Sequence, residues 1–403
     1  MTYDVERIRG FFPALADGAA HFDGPGGSQT AAQVADAVTA TLRAAVANRG
    51  TVTRAEQRAE EIVVEARAAM ADLVGGVAGG VVFGRSMTAL TFDLSRAMSR
   101  SWGPGDEVVV TRLDHDANIR PWVIAAERAG STVRWVDFDP TTGELETDAV
   151  AAALSQRTKV VAVTGASNLL GTRPDVAAIA SAAHDAGALV YVDGVHLTPH
   201  APVDMRALGA DFFACSPYKF CGPHLGAVVA SPSLLETVHP DKLLPSTDVV
   251  PERFELGTLP YELLAGVTSA VDFLADLDTD AAGSRRPRIV ASMTALEQHE
   301  TGLLKRLTDG LAATGRVSLI GRPTHRTPTL LFSVGGIASR DVHVALAEHN
   351  VNAPAGNFYA IEASRHLGLG DAGAVRAGLA PYTNDDDVAR LLAAVGAIAE
   401  GRS

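Results

Sequence analysis

The chain is poor in cysteine: of 403 residues only Cys215 and Cys221 carry a thiol. Both fall in one short stretch, at a strand end and in the turn after it, and no C-x-x-C occurs. A disulfide framework is not expected, and a reduced, cytoplasmic setting is. Long apolar runs are missing too. None approaches the roughly 20 residues of a membrane span, and the opening Met1 to Arg7 lacks a charged-then-apolar signal pattern. Positive charge is in deficit: 34 Lys and Arg against 47 Asp and Glu leave a net charge of −13. That argues against nucleic acid and against an anionic membrane surface as partners. A metal centre is not expected either. His196 and His200 are four apart, but Pro199 spoils a helix face and no acidic third ligand is spaced for zinc.

What the chain has is apolar content, 47% hydrophobic, enough to bury a large core and to argue against disorder. From residue 81 to 230 short apolar runs alternate with helical patterns. Val81–Arg85, Gly105–Thr111, Thr132–Val136, Lys159–Thr164 and Gly187–Val192 read as strands. Helices are expected from Ser86 to about Arg100, Pro121 to Ala129, Thr147 to Leu154 and Asp175 to Ala186. Such alternation implies a mainly parallel sheet covered by helices. Residues 1–30 read as an arm, 31–277 as a large domain and 278–403 as a smaller α/β domain. The polar, glycine-containing segment Asp278–Arg288 reads as the linker. In the small domain a long helix is expected over Ile289–Ala313, a helix capped by Ser339, a strand over Val375–Tyr382 and a last helix capped by Asn384.

Polar residues recur where the apolar runs end: Thr88, His115, Asn168, Asp193, Ser216, Tyr218 and Lys219. In a parallel sheet those ends share one edge, where α/β proteins bind ligands. The centre of the pattern is Asp211 to Pro223. A buried run ends in a turn that carries Lys219, and Gly222-Pro223 forbids a helix there. Partial desolvation lowers a lysine pKa and makes its amine a nucleophile, the state a Schiff base needs. Asp193 ends the strand 26 residues earlier, so adjacent strands bring a carboxylate and an amine together. Pyridoxal phosphate requires this pair, a lysine for the aldehyde and an acid beside the pyridine nitrogen. Ser86-Met87-Thr88 reads as an N-cap and equally as a phosphate site at a helix start. The glycine-rich Asp23 to Ser28 reads as a tight turn or as a loop that approaches a ligand closely.

Two rival motifs fail on context. Ser216-Pro-Tyr-Lys219 spells S-x-x-K, but S-D-N and K-T-G are absent. Gly368-x-Gly370-x-x-Gly373 spells the dinucleotide fingerprint without a clear strand before it.

These stretches together resemble the class V aminotransferase family of fold-type I pyridoxal-phosphate enzymes, and within it the cysteine desulfurase branch. The resemblance runs from Phe22-Asp23 to the final helix. It rests on His115-x-Ala-Asn-Ile-x-Pro-Trp122, Ser167-Asn168-x-x-Gly171-Thr172, Val192-Asp193-Gly194, Ser216-x-x-Lys219-x-x-Gly222-Pro223, Gly257-Thr258 and Arg376-Ala-x-Leu-Ala-x-Tyr-x-Asn384. It implies that Lys219 holds the cofactor and later moves protons. Asp193 pairs with the pyridinium, His115 stacks on the ring, and Asn168 lies near the phenolic oxygen and substrate. Thr88, Ser216 and Tyr218 hold the phosphate. Thr258 reaches the phosphate of a neighbouring subunit, so a homodimer is implied. Arg376 clamps the carboxylate of a small amino-acid substrate.

The chain departs from the branch at several of these places. His196 stands where a glutamine is usual, Asp116 replaces the second histidine of a His-His pair, and Pro354 lies where an arginine is common. The loop that carries the branch's nucleophilic cysteine matches Gly356-Asn-Phe-Tyr359-Ala360, with no thiol. The resemblance leaves carbon–sulfur or related elimination and transamination both open, with a cofactor-binding regulator as the non-enzyme alternative.

Overall fold

The structure, a computed structural model, describes residues 3–401. Its strands are β1 (Ala20–His21), β2 (Val81–Gly84), β3 (Glu107–Thr111), β4 (Thr132–Val136), β5 (Thr158–Thr164), β6 (Leu189–Asp193), β7 (Phe212–Cys215), β8 (Gly226–Ala230), β9 (Val317–Ile320), β10 (Thr329–Val334), β11 (Val351–Asn352), β12 (Ala355–Gly356) and β13 (Ala374–Gly378). Seven form one sheet in the order β2-β8-β7-β6-β5-β3-β4. The run from β4 to β7 is parallel, and β8 pairs antiparallel with both of its neighbours. The inner strands are short and valine-rich, and β3 and β7 are buried at every position, as a sheet covered on both faces requires. Edge strand β4 instead alternates exposed and half-buried side chains up to Val136.

Helices α1 (Val5–Arg9), α2 (Ala32–Arg43), α3 (Arg54–Val74), α4 (Met87–Met98), α5 (Arg120–Ala129), α6 (Thr147–Ala153), α7 (Val176–Asp185), α8 (Pro232–Thr237) and α9 (Tyr261–Ala275) accompany this sheet. One apolar core gathers Val63, Met70, Phe83, Phe213 and Val267. On the other side Leu94, Trp122, Tyr191 and Phe212 form a second. Successive residues Phe212 and Phe213 thus serve opposite faces, the strand period of two. Local signals set the helix starts. Thr53 and Glu56 close a capping box on α3, and the Ser86 hydroxyl accepts from the Ala89 amide to start α4.

The C-terminal part holds an antiparallel sheet, β12-β13-β10-β9, with α10 (Arg285–Ala313), α11 (Ser339–Glu348), α12 (Ile361–His366) and α13 (Asp385–Glu400). The N-terminal arm joins it, because β1 pairs in parallel with β11 and Phe22 enters its core. Helix α10 enters two cores. Ile289, Met293 and Leu296 join the first core, against α9 and α3, while Leu303, Leu307 and Leu311 join the core of the small sheet.

Four boundaries differ from the sequence reading. Helix α10 begins at Arg285, not near Ile289. Arg285 meets Glu65, Asp72 and Asp272, and Arg288 meets Asp276, and these ion pairs draw the polar stretch into helix. Thr147 and Ser339 are first helical residues, not caps; Glu146 and Ala338 precede them without a side-chain cap bond. Strand β13 stops at Gly378, whose amide donates to Phe22 O at 2.9 Å and ends the ladder with its neighbour β10. Gly368, Gly370 and Gly373 all have positive φ, so the G-x-G-x-x-G is a chain of turns. No helix among the described residues is long and apolar enough to cross a membrane.

Candidate active site

The carboxyl ends of the parallel strands open onto one cavity of about 490 Å³. Thr88 reaches it from the start of α4, just after β2. His115 follows β3, Asn168 follows β5, and Asp193 ends β6, with His196 three residues on. Ser216 and Tyr218 follow β7, and Lys219 closes the single 3-10 turn Pro217–Lys219. Arg376 enters from β13 of the small sheet. Nine of the ten sequence-derived site residues therefore line one cavity. Thr258 does not; it sits in an exposed loop of the same chain. Ser216 opens no α-helix, which disposes of the S-x-x-K reading.

Parallel pairing of β6 with β7 sets Asp193 opposite Ala214, and this places the acid beside the turn that carries the lysine. Lys219 Nζ donates to Pro25 O at 2.5 Å and lies 4.8 Å from the Tyr218 ring centre. Burial, reinforced by the positive Arg376, pushes its pKa down to about 7, with Asp193 opposing. Burial pushes Asp193 up to about 6, while a 2.9 Å bond from the Val195 amide and the Lys219 charge favour its ionised form. At neutral pH the amine is thus poised between its two forms and the acid is mostly ionised.

His115 is neutral. Burial, helped by Lys219 and Arg376, takes it down to about 4. Its Nδ1 accepts from the Ala117 amide at 3.0 Å, so the proton sits on Nε2. Asp114, directly before it, is fully buried and raised to about 8 by that burial; it accepts from Thr111 and from Asn118 Nδ2. His196 is also held neutral by burial, and its Nε2 meets Thr329 Oγ1 at 3.1 Å. Its ring stands edge-on to His200, which pairs with Glu300 at 3.0 Å. The two histidines are therefore tied to hydroxyl and carboxylate. Among the described residues no group of three or more His, Cys, Asp or Glu is placed to hold a metal ion.

Arg376 is only 2% exposed, and burial lowers its pKa to about 9. Nη1 donates to Asn168 O at 2.9 Å, and Nε is buried without a partner. No carboxylate pairs with it among the described residues. The Asn168 side chain donates to Phe358 O at 2.9 Å, and its Oδ1 is likewise buried and unpartnered. A buried guanidinium nitrogen and a buried amide oxygen without hydrogen-bond partners, on two residues of one cavity, mark where a bound molecule would complete the hydrogen bonding.

Sequence reasoning missed several walls. Pro25 offers a carbonyl, and the glycine-rich turn around it was the available signal. Phe92 lies one turn beyond Thr88 on α4, and Arg120 one turn beyond Asp116. Phe358 and Tyr359 carry positive φ in a loop far away in sequence, which no local pattern announces. Cys215 and Cys221 are fully buried and outside the cavity lining; burial raises both thiols, Cys221 to about 12.

A parallel sheet whose strand ends bring a desolvated lysine and a buried acid to one cavity defines a fold-type I pyridoxal-phosphate enzyme. The comparisons agree. Residues 20–391 match the family model described as aminotransferase class-V, and the chain belongs to that family. It is 36% identical to the uncharacterised protein MT3887 of Mycobacterium tuberculosis, over 99% of this chain and 100% of that one. It is 31% identical to the probable cysteine desulfurase 2 of Mycobacterium leprae, over 97% and 96%. The solved cysteine desulfurase CsdA of Escherichia coli superposes with a TM-score of 0.87 at 26% identity, covering 99% of each chain.

Proposed function

We propose that this protein uses pyridoxal phosphate to eliminate a β-substituent, sulfur or a related leaving group, from a small amino acid, with no persulfide on the protein. The observation that carries the amino-acid reading is Arg376: a buried guanidinium at the cavity that holds Lys219, felt by Asp23 but in no salt bridge with a carboxylate among the described residues. A substrate carboxylate supplies that partner and two charge-assisted hydrogen bonds.

The cavity residues fit the cofactor. Lys219 offers an amine with a pKa of about 7, and Asp193 a buried carboxylate that makes no salt bridge among the described residues. The first turn of α4 leaves backbone N–H groups without helical acceptors, and Thr88 and Ser216 add hydroxyls for a phosphate. When bound, pyridoxal phosphate supplies an electron sink for charge developing at the substrate α-carbon. The chain supplies the rest. Lys219 takes and returns a proton near neutral pH, His115 presents a neutral ring, and Arg376 orients the carboxylate. The absence of a thiol in the Gly356–Ala360 loop supports direct departure of the leaving group, because Tyr359 has no sulfur to carry.

A homodimer is part of the proposal. Leu244 is 97% exposed and Leu256 62%, in the segment that leads to Thr258, an apolar surface suited to a second copy. A cytoplasmic setting suits the two free, buried thiols. The test is a panel of amino acids with β-leaving groups, cysteine included. The reading expects a change in the cofactor absorbance together with ammonia, a keto acid and, from cysteine, sulfide. A keto acid accompanied by an aminated cofactor and no ammonia would establish transamination instead.

A further inference from the structure

Phe358 and Tyr359 are consecutive residues in the left-handed region, φ 52° and 60°, which side chains with a Cβ disfavour. The conformation is held from several sides. Asn168 Nδ2 donates to Phe358 O, the Asp116 amide donates to Tyr359 O at 2.7 Å, and the Tyr359 amide donates to Asn357 Oδ1 at 3.0 Å. Glu362, just beyond, pairs with Arg112 at 2.8 Å and Arg120 at 3.3 Å. The turn so fixed leaves Tyr359 at the mouth, 75% exposed, and lays the half-buried Phe358 ring 3.8 Å from the Arg376 guanidinium carbon. A closed circuit results: Arg376 Nη1 to Asn168 O, Asn168 Nδ2 to Phe358 O, Phe358 ring to Arg376.

We propose that Phe358 is a positioning residue, holding the Arg376 guanidinium flat so that its edge meets a substrate carboxylate; this rests on the amino-acid reading of the cavity. A ring against one face supports a buried cation without taking any of its N–H groups. A carboxylate binds in the guanidinium plane, through two parallel N–H donors. Nη1 is committed to Asn168, while Nε and Nη2 have no acceptor among the described residues. A carboxylate side chain in place of the ring would neutralise the same cation but would also occupy the donors the substrate needs. The aromatic face stabilises the charge and leaves them free.

The test titrates the holoenzyme with aminooxyacetate and with O-methylhydroxylamine, following the absorbance of the bound cofactor. Both carry the same aminooxy nitrogen, and only the first carries a carboxylate. The ratio of their affinities therefore reports carboxylate recognition whatever the natural substrate is. Phe358→Leu is expected to lower the preference for aminooxyacetate about tenfold, with the methyl compound unchanged within about twofold. Phe358→Tyr, which keeps the ring, is expected to retain the wild-type ratio. An unchanged ratio in Phe358→Leu, or equal weakening of both probes, overturns the proposal. Should Phe358→Leu fail to fold, Phe358→Met carries the same expectation. Arg376→Leu separates the two layers. If it leaves the ratio intact, Arg376 does not take the carboxylate. If it abolishes the preference while Phe358→Leu does not, only the role of Phe358 falls.

Discussion

Replacing Lys219 by methionine, a chain of similar length without charge, should change how stability depends on pH in the cofactor-free protein. The structure gives the magnitude. The amine falls from 10.5 in water to about 7 in the cavity, mainly through burial. At about 1.36 kcal/mol per pKa unit, confining the ammonium costs up to about 5 kcal/mol of stability below pH 7. The sign follows from proton counting. Between pH 7 and 10.5 the unfolded chain binds the proton and the folded chain does not, so raising the pH stabilises the wild type. At pH 7.5 the remaining cost is about 4 kcal/mol and at pH 9.5 about 1 to 2, a gain of roughly 2 to 3 kcal/mol. Asp193 is ionised throughout that range in the wild type, and titrations shared with the variant cancel in the difference. Urea unfolding of both apo-proteins at four pH values measures it. The wild type should gain on Lys219→Met by roughly 2 to 3 kcal/mol across the window. A flat difference, or a loss, would refute the claim that the amine is desolvated in the folded chain.

Lys219→Ala should also lose the borohydride-reducible link to the cofactor; a link of unchanged mass in that variant would move the assignment to another lysine. Incubation with cysteine should leave no sulfur adduct on the protein by mass spectrometry, and changing both Cys215 and Cys221 to alanine should preserve most turnover. A kinetically competent adduct on Cys221 would show that the nucleophile lies beside the lysine. Sedimentation should find a dimer at assay concentration, and Leu244→Glu or Leu256→Glu should weaken it. Fully active monomers would remove the composite site. Finally, Arg376→Lys should raise KM for an amino-acid substrate at least about tenfold while leaving the cofactor spectrum intact, because an ammonium cannot offer the planar fork.

Much of the site could be read from the chain because parallel strands put their polar ends on one edge. Thr88, His115, Asn168, Asp193 and Lys219 each follow an apolar run, and the topology does the gathering. What stayed hidden depends on contacts distant in sequence. The start of α10 is set by Arg285 meeting Asp72 and Glu65, 213 and 220 residues away. The Phe358 carbonyl is fixed by Asn168, 190 residues earlier, and the left-handed turn it adopts has neither glycine nor asparagine at those two positions to announce it. The linkage of Lys219 to Pro25 O crosses 194 residues. Local pattern states which residues end a strand, not which carbonyl from another element comes to meet them.

Helix α10 has 29 residues, about 43 Å of continuous rod at 1.5 Å per residue. Its first half lies in the core shared with α3 and α9, and its second half in the core of the small sheet and α13. Neither part of the chain can therefore melt alone without stripping an apolar stripe from a helix the other still needs. Unfolding should be a single cooperative event, and polypeptides separated near residue 278 should recover structure only when mixed.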